Sequence, residues 1–211
     1  FFPESAYFAS RGMVAICAEY RIRSRDHTTP FECVKDGKSA IRWVRTHADE
    51  LGVDPKRIAA GGGSAGGHIA ACAGIVPDVE EPGEDTKVSS VPNALVLFNP
   101  VLDRSLLAER VGERASEIAP AEHVRKGLPP TIIFHGTADR VVDFGAVEQF
   151  QKKMAEAGNR CELVGYEGRD HGFFNYARGP RDFEDTLRRA DRFLASLGFL
   201  QGKPTVGEEA S

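Results

Sequence analysis

The chain has no block of basic residues. Its 27 Lys and Arg stand against 31 Asp and Glu, a net charge of −4. That balance excludes the electrostatic footprint of a nucleic-acid binder. Long apolar runs are also missing, since each is soon broken by Gly, Pro or a charge. A membrane-spanning helix of about 20 apolar residues is therefore not expected. The first twelve residues, FFPESAYFASRG, lack the basic start, apolar stretch and small-residue cleavage site of a signal peptide. Cysteine is scarce: four residues, at 17, 33, 72 and 161, with no C-x-x-C spacing. This is neither a zinc knuckle nor a dense disulfide framework, and reduced thiols are expected, at least three of them in surroundings that suit burial. No repeat of fixed period is visible. A chain of 211 residues with 41% apolar and 27% charged residues has the balance of a globular protein with a sizeable core. One catalytic domain is expected over residues 1–201, with a flexible tail at 202–211. A second disordered-looking stretch, 77–90, is rich in Asp, Glu, Pro and Gly.

What the chain does have is alternation. Residues 13–20 (MVAICAEY) form a near-continuous apolar run, as expected of a strand covered on both faces. Residues 31–51 carry apolar side chains at 34, 41, 44, 48 and 51, a helical stripe that Gly52 ends. Strands are expected at 57–60, 94–98, 131–134 and 161–166, and helices at 64–74, 105–119 (the weaker pattern), 144–157 and 183–197. Two-sided apolar strands joined by helical crossovers imply a parallel α/β sheet. In such sheets the chemistry gathers in the loops after the carboxyl ends of the strands. Here those loops hold residues 61–66, 99–103, 135–139 and 168–173.

The first of these loops is rich in glycine, reading GGGSAGG from 61 to 67. Gly62-Gly63-Ser64-Ala65-Gly66 fits G-x-S-x-G between a strand and a helix. A sharp turn there lifts a serine hydroxyl above the sheet, and its glycines remove side chains that would clash. The next backbone N–H, that of Ala65 at the helix N-terminus, would face a developing oxyanion. Two other readings compete. Gly61-x-Gly63-x-x-Gly66 also satisfies the dinucleotide pattern G-x-G-x-x-G, though the acidic residue wanted about 20 positions on falls in the 77–90 stretch rather than after a strand. The plainer alternative is a tight glycine turn with Ser64 as helix cap.

Activating a serine requires a base, and orienting the base requires an acid. Six histidines are present. His171, in Gly168-Arg169-Asp170-His171-Gly172-Phe173, follows the last strand on a loop of small residues. His135 ends a strand, and backbone hydrogen bonds are expected to hold it. His68 belongs to the helix after Ser64, and His27, His47 and His123 have no motif around them. The acid should lie between serine and histidine in chain order. Asp139, in His135-Gly136-Thr137-Ala138-Asp139, is favoured over Asp143, whose place before a helix suits an N-cap. Asp170 adjoins the base itself, and sequence neighbours seldom aim at one another. Ser64, Asp139 and His171 at successive strand ends make a hydrolytic triad and set the dinucleotide reading aside.

With these residues in hand, the chain resembles α/β-hydrolase carboxylesterases, notably bacterial esterases of the hormone-sensitive-lipase and acetyl-xylan-esterase type. The matching stretches are Glu19-Tyr20-Arg21, residues 40–45 (AIRWVR), Gly52-Val53-Asp54-Pro55 with Arg57-Ile58, Gly62-Gly63-Ser64-Ala65-Gly66-Gly67, residues 135–139 (HGTAD) and Asp170-His171-Gly172-Phe173. The resemblance implies a three-layer, mostly parallel sheet. It implies acyl transfer to water without metal or organic cofactor, on a small-molecule or carbohydrate ester, with short acyl groups the favoured substrate. A homo-oligomer is an open option, and a cytoplasmic setting is favoured unless a leader precedes the segment. Prolyl-oligopeptidase-type peptidases share such serine turns but carry a large extra domain.

One departure stands out. The family's His-Gly-Gly-Gly-like loop, which supplies further oxyanion donors, does not precede Phe1. The segment is therefore expected to be part of a longer chain, N-terminally incomplete in its sheet. Assayed alone, it is expected to turn esters over poorly. A hydrolase-like segment without catalysis is the rival reading.

Overall fold

The computed structural model describes residues 1–207, and the expected tail residues 208–211 lie outside the described residues. The chain divides into two units, Ala18–His171 and a pairing of Phe1–Cys17 with the residues from Gly172 onward.

The larger unit is built on four parallel strands, β1 (Ala59–Gly63), β2 (Ala94–Phe98), β3 (Thr131–Gly136) and β4 (Cys161–Tyr166), in the order β1-β2-β3-β4. The register sets Gly61 beside Val96, Val96 beside Ile132 and Ile132 beside Glu162. Every residue of β2 and β3 is buried, the signature of central strands covered on both faces. The helices that join them pack on the sheet. Ala70, Ala71 and Ile75 of α5 (Ala65–Ile75) meet Leu95, Leu97 and Ile133. So do Val147, Phe150 and Met154 of α7 (Phe144–Glu156). Because α5 is made of small residues, it lies close to the strands, and a Cβ on Gly74 would already touch Leu95 Cδ1 at 3.1 Å.

After a single turn, α2 (Arg23–Asp26), helix α3 (Pro30–Thr46) starts with a capping box, in which Thr29 N–H donates to Glu32 Oε2 at 2.9 Å. Its buried stripe runs through Phe31, Val34 and Ile41, and the position between them is Lys38, only 2% exposed. A buried ammonium needs a partner. Lys38 Nζ finds Glu80 Oε1 at 3.1 Å, and Arg42, also buried, reaches Glu80 Oε2 at 2.8 Å, Glu84, and the carbonyl of Val88 at 2.8 Å. Burial would push the Glu80 carboxyl pKa up, but its bonds to Arg42 and Lys38 outweigh that and hold it below the ordinary glutamate value. The 77–90 stretch, which composition marks as disordered, is thus irregular but tied down by its acids, which neutralise two cations on a helix face.

Other boundaries shift for local reasons. The expected helix over 31–51 breaks at His47 into α3 and the single turn α4 (Ala48–Leu51), closed by Gly52 at φ +66°. The expected helix at 105–119 becomes α6 (Ser105–Val111) and a 3-10 segment, Gly112–Ile118, with Gly112 at φ +59°. β1 begins at Ala59, not 57, and runs on through Gly63. Residues 13–20, expected as a buried strand, are extended but form no ladder. Val14 and Ile16 are about half exposed, and nothing pairs on the free side of β1 among the described residues. Apolar character sets a strand's faces, but a ladder also needs a neighbour to hydrogen-bond.

The smaller unit pairs α1 (Phe2–Ser10) with α8 (Pro180–Ser196). Asp191, fully buried on α8, accepts from Tyr7 Oη and Arg11 Nε, both at 2.7 Å. Within the expected tail, Thr205 N–H donates to Tyr7 Oη at 3.3 Å. All four cysteines are free. Cys72 and Cys161 are buried, Cys33 is half-buried and Cys17 is exposed, since the run that carries Cys17 has no cover. Burial pushes the Cys161 thiol pKa up to about 12. No helix among the described residues is long and apolar enough to cross a membrane.

Candidate active site

Four strands running the same way deliver their carboxyl ends to one edge, and the candidate residues of the larger unit gather there. β1 ends at Gly63 and α5 begins at Ala65, so the turn between them is the single residue Ser64. Reversing the chain in one residue forces Ser64 to φ +53°, ψ −114°, a region that costs an L-residue about 1–3 kcal/mol. The Ser64 side chain caps nothing. Its backbone N–H donates to Phe98 O, and its carbonyl accepts from His68 N–H, both at 2.9 Å. The helix-cap reading is therefore excluded, and a one-residue turn leaves no glycine loop to wrap a phosphate. Ser64 is half-buried, and Ala65, first residue of α5, is exposed.

The glycines of the turn have unequal reasons to be there. A Cβ on Gly62 would meet the carbonyl carbon and oxygen of Gly66 at 2.6 and 2.7 Å, and one on Gly67 would meet Gly62 O at 3.0 Å and Pro100 Cβ at 3.1 Å. Gly66, expected to be needed for clearance, has nothing within 4 Å of such a Cβ. The tight approach is between the last turn of strand and the second residue pair of the helix, so Gly67 takes the role expected of Gly66. Gly62→Ala should lower unfolding stability by about 1–3 kcal/mol, because backbone must move. Gly66→Ala should leave it unchanged or raise it by up to about 1 kcal/mol. Urea unfolding of the two variants checks the contrast.

Asp139 follows β3, and His171 follows β4. His171 Nδ1 lies 2.8 Å from Asp139 Oδ2, while Asp143 instead caps α7 through the N–H groups of Gly145 and Ala146. The two loops are stitched together. Thr137 N–H donates to Tyr166 O, Ala138 N–H to Arg169 O, and Gly168 N–H to Thr137 Oγ1. A Cβ on Gly136 would fall 2.2 Å from Arg169 O, so only glycine admits this contact. Asp170 Oδ1 accepts from its neighbour's N–H, that of His171, at 2.7 Å, and from Arg140 N–H at 3.1 Å. Asp170 therefore ties the His171 loop to the Asp139 loop through backbone N–H groups.

The Asp139 carboxylate has no exposed surface. Oδ1 accepts from Val141 N–H at 2.8 Å and Val142 N–H at 3.0 Å, and Oδ2 from Asn99 Nδ2 at 2.6 Å. Burial would raise its pKa. The bonds from Val142 N–H, Asn99, His171 and Val141 N–H outweigh burial and hold it below the ordinary aspartate value. An ionised carboxylate only accepts, so His171 donates through Nδ1, and in the neutral ring Nε2 is then the acceptor nitrogen.

His135 is held much as the sequence implied, with Nε2 at 3.0 Å from Val142 O. The same nitrogen lies 3.2 Å from Asp139 Oδ2. Burial pushes its pKa down. His68 is also buried, bonded to Ile118 O at 2.7 Å, and its pKa too is lowered by burial. In the sequence Asn99 is only the first residue of the 99–103 loop. Its place in one of the four carboxyl-end loops was the one available signal. No cluster of three or more His, Cys, Asp or Glu among the described residues could hold a metal ion.

Comparison with known proteins agrees with this architecture. Residues 3–103 match the family model described as BD-FAE, and residues 93–201 match the dienelactone hydrolase family. A probable isoprenylcysteine alpha-carbonyl methylesterase of Arabidopsis thaliana, ICMEL1, is 32% identical over 190 residues, covering 77% of this chain and 40% of its own length. An acetylxylan esterase of Xylanibacter ruminicola is 27% identical, over 99% of this chain and 43% of its own. The chain thus spans less than half the length of these curated relatives. Among solved structures, esterase 2 of Thermogutta terrifontis, phosphoramylated by tabun, superposes with a TM-score of 0.92 at 55% identity, covering 95% of this chain and 78% of that one. Further structures of that esterase are propionate-bound and butyrate-bound.

Proposed function

Since the chain belongs to the α/β-hydrolase carboxylesterases, we propose that it carries the serine-hydrolase machinery of an enzyme that cleaves short-chain carboxylic esters. Ser64 Oγ attacks the ester carbonyl carbon while His171 Nε2 takes its proton. The tetrahedral oxyanion faces the N–H of Ala65 at the start of α5. Collapse breaks the bond to the alkoxide, which leaves with the proton held by His171. Water then attacks the acyl-serine with His171 again as base, and releases the acid. Asp139 fixes the imidazole with Nδ1 protonated and stabilises the imidazolium that forms in each half-reaction.

The observation that carries this reading is the strained φ of Ser64, at the same sheet edge as a histidine bonded to a buried aspartate. A serine kept at positive φ, with no capping bond in return, is a residue retained for its hydroxyl. Short acyl groups are favoured because the Thermogutta esterase binds propionate and butyrate. The acetylxylan esterase adds acetylated carbohydrate as a candidate substrate.

A series of p-nitrophenyl esters tests substrate class. kcat/KM should peak at acetate to butyrate and fall by about 10-fold or more at octanoate, the scale of one or two misfitted methylene groups. Rates that rise steadily with chain length would overturn the short-acyl assignment.

A further inference from the structure

Resting on the triad reading above, we propose that Asn99 is a positioning residue for the reaction, aiming the Asp139 carboxylate at His171. Asn99 sits one residue past β2, fully buried, at φ +43°. Asparagine is among the few non-glycine residues that tolerate this region. Its backbone N–H continues the sheet by donating to Phe134 O at 2.9 Å, which fixes the Cα beside the end of β3. From there Nδ2 reaches Asp139 Oδ2 at 2.6 Å, shorter than the His171 contact on the same oxygen.

Three further observations separate this from ordinary packing. First, Asn99 Oδ1 is buried with no hydrogen-bond partner. A buried amide settled for structure alone would satisfy both ends. This one leaves its carbonyl orphaned and spends its N–H on the carboxylate. Second, the two oxygens of Asp139 are held differently. Oδ1 is fixed by two backbone N–H groups, but Oδ2, the oxygen that meets His171, has side-chain donors only. Third, the other neighbour of Oδ2 is a poor substitute. His135 Nε2 lies at 3.2 Å and closer to Val142 O, and its Nδ1 is also unpartnered, so its single proton is shared. Without Asn99, Oδ2 is held only by that shared proton and by His171 itself, and the carboxylate can rotate about the anchored Oδ1.

The test compares three variants in ester hydrolysis and in stability. Asn99→Gly accepts the positive φ and deletes the amide. It should lower kcat by about 10–100-fold, the worth of a hydrogen bond to a charged group, with KM within about twofold of the parent. Asn99→Asp keeps the shape but exchanges donor for acceptor. Two carboxylates then face each other and share a proton. Activity should be lowest at neutral pH and recover, relative to the parent, as the solution is acidified. The ionisable groups around the pair that enter this profile are His135 on β3, His171 and Asp170 after β4, and Asp143 at the start of α7. A merely structural asparagine would show equal losses at all pH. Asp139→Asn is the control. If Asn99→Gly and Asn99→Asp keep the parent's kcat and pH profile while Asp139→Asn is inactive, the role of Asn99 is overturned and the triad stands. If Asp139→Asn is also fully active, the triad reading falls and this inference with it.

Discussion

Ser64→Gly is expected to be more stable than the parent chain and inactive. One substitution produces both effects, the first by removing the Cβ and the second by removing the hydroxyl. The turn holds Ser64 at φ +53°, ψ −114°. Relieving a residue in such a region gains about 1–3 kcal/mol. Against this, glycine loses more backbone freedom on folding, a cost of about 0.5–1 kcal/mol. The strain term is the larger, so a net gain of about 1 kcal/mol is expected in urea unfolding. Ser64→Ala separates the terms, because it keeps the Cβ and hence the strain. It should match the parent's stability to within about 0.5 kcal/mol. Both variants lose the hydroxyl, and ester turnover should fall by about 10⁴-fold or more in each. A Ser64→Gly protein less stable than Ser64→Ala would show that the turn is not strained.

Asp139→Asn should lower kcat by about 10⁴-fold with little change in KM, for a reason specific to this site. Two backbone donors, Val141 and Val142 N–H, face one oxygen of the side chain, and the other oxygen faces His171. The new amide cannot present its N–H₂ to the two valine N–H groups, so its oxygen turns to them and its N–H₂ turns to His171 Nδ1. That forces the other imidazole tautomer, with the proton on Nε2, and a protonated Nε2 cannot take the proton of Ser64. Asn99 can accommodate the change by flipping its amide and offering its unpartnered Oδ1, so the fold should survive. The acid limb of stability tests the same carboxylate. Its folded pKa is depressed, so its contribution is present above the unfolded value of about 3.9 and is lost as pH falls through the lower folded value. Asp139→Asn should therefore lose less stability than the parent on acidification. Turnover within about tenfold of the parent would mean that Asp139 does not set the tautomer.

Which parts of this were legible in the sequence follows from the range of the forces involved. β2 is apolar at every position and β3 over 132–134, and both are buried throughout, so their composition alone marks them. The helical stripes of α3 and α7 announce themselves in the same way. The turn at Ser64 is local, its constraint met within residues 62–67, and a short motif captures it. Residues 13–20 mislead because a strand is a paired object, and the pattern of one segment does not tell whether a partner lies beside it. The 77–90 stretch misleads in the opposite sense. Its acids look like solvated charge until Lys38 and Arg42 are seen buried on α3, 38 to 42 residues away in the chain. Asn99 was missed as a partner of Asp139 because the contact crosses from the end of β2 to the end of β3, and His135, four residues before Asp139, because its expected partner was backbone. The cause is chemical as well as topological, since asparagine after a strand reads first as a stop.

The central claim is that the hydroxyl of Ser64 is the group His171 activates. Peptide mapping by mass spectrometry after incubation with a fluorophosphonate probe tests it most directly, because the probe reacts covalently only with an activated nucleophile. The account predicts one adduct, on the peptide carrying Ser64, formed at a rate that falls sharply in His171→Ala and absent in Ser64→Ala. An adduct on any other residue, or labelling of Ser64 at the parent's rate in His171→Ala, would contradict it.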